Sequence, residues 1–224
     1  GAADLARLPR RGVRGVDPAS GRAATWEGTS LAELLAERVE LLKGADVVLV
    51  RTADRAAVAV PITLVLQARP VLADRADAVR LAATVLAWPT LEQRGLDTDP
   101  RARMWWARDV LALEVVDWQK TYGAALATPD GAPDRARRGS ASYADRCISC
   151  HRLRGAGGER GPDLTRVAAR LEEGPFGALR ERPPGWAGTA GDPPGEEGAS
   201  ELWAFLRAVS AAAAHGATAE PVTA

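Results

Sequence analysis

Cys147-Ile-Ser-Cys150-His151 places two thiols and an imidazole within five residues. Thiols three positions apart can each add across one vinyl group of a porphyrin, and a histidine directly after the second can present a nitrogen to the iron. This is the C-x-x-C-H spacing of covalent haem c attachment. Two other chemistries use similar residues. A zinc site takes about four Cys or His ligands, and the chain offers only Cys147, Cys150, His151 and His215. A C-x-x-C redox pair is expected beside a βαβ unit, whereas residues 152–161 form a glycine-rich loop. The spacing favours one covalently held haem c. No cysteine then remains for a disulfide or for a second thiolate site.

The elements around the motif must hold it. Arg138-Gly139-Ser-Ala-Ser-Tyr143 leads into Cys147, and Gly155-Ala-Gly-Gly-Glu-Arg-Gly161-Pro162-Asp-Leu164 follows His151. Glu201-Leu202-Trp203-Ala-Phe205-Leu206-Arg-Ala-Val209 has apolar residues at helical spacing. Together these segments resemble the small class I cytochromes c over about residues 135–212. The resemblance implies an all-α domain whose first and last helices meet, Trp203 or Leu206 packing on Gly139 and Tyr143. It also implies that the Pro162 carbonyl accepts the His151 Nδ1–H, a bond that fixes the ring and tunes the iron.

One feature departs from that family. A methionine usually stands between the Gly-Pro loop and the last helix as second axial ligand, but residues 174–195 hold neither Met nor His. Met104 is the only methionine and His215 the only other histidine. The sixth position therefore falls to Met104, to His215, to a remote lysine (Lys43 or Lys120), or to water or a partner's ligand, or it stays empty and the iron is five-coordinate. Trp186 lies where the ligand loop should be and is a candidate cover for the distal haem face. Arg135, Arg137, Arg138, Arg146, Arg152 and Arg154 flank the motif, either as a solvated face or as a docking ring for an acidic redox partner.

Turn formers from Thr128 to Asp134 separate two differently patterned regions. The expected organisation is a first domain at 1–127, a linker at 128–134, the cytochrome domain at 135–212 and a flexible tail at 213–224. In the first domain, residues 46–51, 57–61, 85–88 and 110–116 read as strands. Leu31 to Leu42 reads as one amphipathic helix, with Ser30 and Glu33 as its capping box. The mixture predicts α+β. The order of its pieces resembles the molybdopterin-binding domain of the sulfite oxidase family: Thr25-Trp-Glu-Gly28-Thr-Ser30-Leu, Gly44 to Arg51, residues 70–73, Trp88-Pro89 and Trp105-Trp106. That resemblance implies a mixed sheet. Its metal is bound by a cysteine thiolate, and the first domain has no cysteine. A shortened binding or docking module without molybdenum is expected.

The 29 basic and 29 acidic residues cancel, so nothing points to nucleic acid or an anionic membrane as an obligatory partner. No run of about 20 apolar residues is present to span a bilayer. Five other tryptophans, at 26, 88, 105, 106 and 118, are expected mostly in cores. Bacterial haem c is attached outside the cytoplasmic membrane, so a periplasmic or otherwise extracytoplasmic location is expected, with a leader removed ahead of Gly1. The whole reads as a monohaem electron carrier rather than an enzyme. Its partners would be redox proteins or a membrane-bound redox complex. The alternative is a haem protein whose open coordination site takes a gas or peroxide.

Overall fold

Short β-branched runs separated by tight turns fold into hairpins, and the N-terminal part of the chain is made of them. A computed structural model describes residues 8–93, 95, 96, 98, 99, 101–169 and 195–216, and the chain divides into two units at Thr121/Tyr122. In the first unit, β1 (Arg10–Val16), β2 (Ala23–Ser30), β5 (Val71–Ala76) and β6 (Val79–Ala87) form one sheet in the order β1-β2-β5-β6. Strands β3 (Val47–Thr52), β4 (Ala57–Pro61) and β7 (Val110–Val116) form a second, ordered β4-β3-β7. Helices α1 (Leu31–Ala36) and α2 (Ile62–Ala68) are short.

Every strand pairing among the described residues is antiparallel. The expected mixed sheet is corrected accordingly. Parallel pairing needs crossovers of a dozen or more residues, whereas β1–β2, β3–β4 and β5–β6 are joined by short turns. The first unit is mostly β.

The core gathers Val13, Trp26, Leu31, Val48, Val50, Val65, Leu86 and Trp88 with Trp105 and Trp106. Trp26 meets Trp106 edge-on at 5.2 Å, and Trp88 lies 5.7 Å from Trp105. Two buried indole N–H groups donate to carbonyls: Trp88 Nε1 to that of Trp105 at 2.8 Å and Trp26 Nε1 to that of Gly15 at 3.3 Å. These four tryptophans are core residues, as expected.

The single helix expected over 31–42 is instead a six-residue α1 followed by a 3₁₀ turn, Val39–Leu42. Leu31, Ala32 and Leu35 are buried, but residues 36–38 are exposed, so nothing holds a second turn to the core. The capping box is absent too. Ser30 makes no side-chain cap, the Leu31 N–H donates to Pro70 O at 2.9 Å, and Glu33 pairs with Arg69 at 2.8 Å. Tertiary partners have replaced local ones.

The second unit begins within α3 (Trp118–Leu126) and contains α4 (Asp134–Arg146), the small hairpin β8 (Arg152–Leu153)–β9 (Ala156–Gly157) and α5 (Glu196–Gly216). Tyr122 and Ala125 are buried, and Ser140 Oγ donates to Leu126 O at 2.6 Å. Residues 128–133 lie between α3 and α4 within this unit, with a turn closed by Ala132 N–H to Pro129 O at 3.1 Å, and α5 runs four residues past 212.

Helices α4 and α5 meet at a glycine. A Cβ on Gly139 would stand 2.0 Å from Glu201 O and 2.9 Å from Phe205 Cβ. The Tyr143 and Phe205 rings are 5.9 Å apart. Phe205, one helical turn beyond Glu201, supplies an aromatic to this crossing, and the Glu201 carbonyl fills the space beside Gly139.

Candidate functional site

Helix α4 ends into the motif. The N–H groups of Cys147 and Ile148 both donate to Tyr143 O, at 2.9 and 3.1 Å, and those of Cys150 and His151 donate to Cys147 O, at 3.0 and 2.8 Å. These nested turns fix the backbone from which both thiols and the imidazole project. The cysteines are not joined in a disulfide. Burial pushes the Cys147 thiol up to about 12, the Cys150 thiol adding to the rise and Arg146 opposing it. Cys147 is therefore a neutral thiol near pH 7.

Glycines let the following loop fold back onto this turn. Gly158 N–H donates to Ile148 O and Gly161 N–H to Cys150 O, both at 2.8 Å. A Cβ at Gly157 would stand 2.2 Å from His151 O, and one at Gly158 would stand 2.0 Å from Ser149 O. Gly161 lies against the imidazole itself, its absent Cβ 2.3 Å from His151 Cε1 and 2.5 Å from Nδ1.

The next residue supplies the polar contact. His151 Nδ1 is 2.9 Å from Pro162 O. A carbonyl can only accept, so Nδ1 carries a proton, and in the neutral ring Nε2 is the nitrogen left to bind a metal. From behind, Tyr143 Oη donates to His151 O at 3.1 Å. Burial raises the tyrosine's pKa well above its ordinary value, so it stays a neutral donor.

The donor set fits haem c: two thiols at the required spacing, one imidazole with its tautomer fixed, and a loop whose glycines leave the ring room. The other expected site residues are not brought into this description. Met104 is half-buried on a 3₁₀ turn, Ala102–Trp105, in the first unit. His215 is the penultimate residue of α5. Trp186 lies outside the described residues.

The arginines flanking the motif are largely engaged within the chain. Arg138 pairs with Glu201, Arg137 with Asp134, and Arg152 with Glu159 at 3.1 Å. Arg154 binds the end of α3, with Nη1 donating to Ala127 O at 2.7 Å. Arg135 is exposed.

Sequence reading gave Gly161 and Tyr143 no part in holding the histidine. The density of glycines at 155, 157, 158 and 161 was the available signal for the first.

The second unit is thus mainly helical and organised around the turn Cys147–His151. A family model described as Cytochrome c matches residues 136–202. A haem-based electron-transfer role goes with that family. A search of curated proteins finds no match to the chain. The family match does not extend to the first unit, whose sulfite oxidase-type kinship gains no support from it.

Proposed function

We propose that the second unit carries one haem c and passes single electrons between redox partners. Cys147 and Cys150 would each add S–H across a vinyl group, sulfur to one carbon and hydrogen to the other, leaving two thioethers. His151 Nε2 would be the axial ligand, with Pro162 O holding Nδ1–H. The observation that carries the reading is this hydrogen bond, at 2.9 Å, beside a glycine that leaves the imidazole face clear. Bound haem supplies a reversible one-electron iron couple. The chain's own residues attach the group, orient the ring, and hold a proton at Nδ1. Replacing Cys147 and Cys150 by serine should give a protein that releases its haem under denaturing conditions, while the parent retains it.

The first unit is read as a docking module for the cytochrome domain within a larger redox assembly, periplasmic or otherwise extracytoplasmic. The order of strand β2, which contains Gly28, and the short helix α1 supports its likeness to a sulfite oxidase-type scaffold. It has no cysteine to bind molybdenum.

A second reading has its own observation: residues 152–214 contain no Met, His, Cys, Lys or Tyr. That favours an open iron unless Met104 or His215 closes it. Rapid, complete carbon monoxide binding by the reduced protein would support the open-site reading. A low-spin oxidised haem that Met104→Ala converts to high spin would assign the sixth ligand to Met104.

A further inference from the structure

Arg154 stands three residues after His151, at the tip of the β8–β9 hairpin. It has φ 49° and Gly155 has φ 84°, two consecutive left-handed residues as a tight hairpin turn requires. A non-glycine residue in that conformation carries strain that its surroundings must offset.

The surroundings grip it at both ends. Its backbone N–H donates to Thr165 Oγ1 at 2.6 Å. Its side chain runs to the C-terminal end of α3, where Nη1 lies 2.7 Å from Ala127 O, 3.3 Å from Ala124 O and 3.5 Å from Ala125 O. Terminal helix carbonyls lack intrahelical donors, and a cation is favoured there. The adjoining bond from Leu164 N–H to Arg152 O, at 2.9 Å, closes the loop base. Between Arg154 and Thr165 lie Gly161, against the imidazole, and Pro162, whose carbonyl faces Nδ1.

We infer that Arg154 is a positioning residue for the iron's histidine ligand: by clamping the loop base to α3 it keeps Pro162 O on His151 Nδ1. The inference rests on the haem reading above. Freed from α3, the loop would spend more time away from the ring, the Nδ1–H bond would weaken, and the imidazole would become a poorer donor. A poorer donor favours the ferric state less, so the reduction potential should rise.

The test uses the full chain with its haem attached, comparing the parent with Arg154→Ala and Arg154→Lys. Proton exchange at His151 Nδ1, followed by NMR, should accelerate about tenfold in Arg154→Ala, as expected for losing a hydrogen bond to a charged group, and the potential should rise with it. Since Nη1 alone makes all three carbonyl contacts, Arg154→Lys should return both readouts most of the way to the parent. A purely structural role would lower thermal stability without moving either. Unchanged exchange and potential in Arg154→Ala overturn the inference. Should that variant fail to fold, Thr165→Val, which removes only the acceptor of the Arg154 N–H, decides instead. Faster exchange upholds the inference and parent-like exchange overturns it. A parent protein without covalent haem overturns the haem reading and this inference together, and is recognised by its missing haem absorbance.

Discussion

His151 has two ring nitrogens, and the chain uses one of them. Pro162 O fixes the proton on Nδ1 at 2.9 Å, and the Gly161 backbone lies against the same ring. Adding a methyl at Gly161 would force the imidazole or the loop aside, at a cost of about 1–3 kcal/mol for overpacking. Gly161→Ala should therefore lower both the yield of covalently attached haem and the melting temperature, read from haem absorbance and thermal unfolding. At this scale the reactive residues were legible because C-x-x-C-H is a spacing of side chains. The role of Gly161 was not. It acts by lacking a side chain against a residue ten positions earlier, and only the folded loop makes that contact.

Elements bring such residues together through close approaches that one substitution can break. The α4–α5 crossing depends on Gly139, whose Cβ would stand 2.0 Å from Glu201 O. Gly139→Leu should destabilise the second unit by about 3 kcal/mol or more, and Phe205→Ala by about 3–5 kcal/mol through the cavity left behind. Both are measurable by denaturant unfolding.

In the first unit, Asp17 follows β1. Burial pushes its carboxyl up, but bonds from Ser20 Oγ, Arg108 and the Ala19 N–H outweigh that and hold it below its ordinary value. A depressed folded-state pKa gives stability that is present above the unfolded value, about 3.9, and is lost as pH falls through the folded one. Asp17→Asn should thus cost about 1–2 kcal/mol at pH 7, the difference shrinking as pH drops below 4 in parallel melts.

Strands 57–61 and 110–116 were legible from their β-branched runs and occur with those bounds. The pairing of β2 with β5 was not, because nothing local records a partner some forty residues away. Helix α1 was overread for a related reason. Apolar spacing continues in the sequence after Leu35, while residues 36–38 are exposed.

At the scale of the molecule, the two units carry different amounts of information. Residues 136–202 match a known family, and their motif states its chemistry. The first unit shows a well-packed tryptophan core, but a core states no chemistry. Equal positive and negative counts leave the whole chain without net charge, and no helix among the described residues is long and apolar enough to cross a membrane. Metal analysis of the purified protein should find one iron and no molybdenum per chain. Stoichiometric molybdenum would contradict the reading of the first unit as a docking module.

The central claim is that Cys147, Cys150 and His151 hold a haem c through which this chain passes electrons. An optical redox titration of the full-length protein, matured in a host that attaches haem c, tests it most directly. The account predicts a single, fully reversible one-electron transition of a chromophore that stays with the polypeptide on denaturation. A protein with no redox-active chromophore, or one whose chromophore separates from the chain when unfolded, would contradict it.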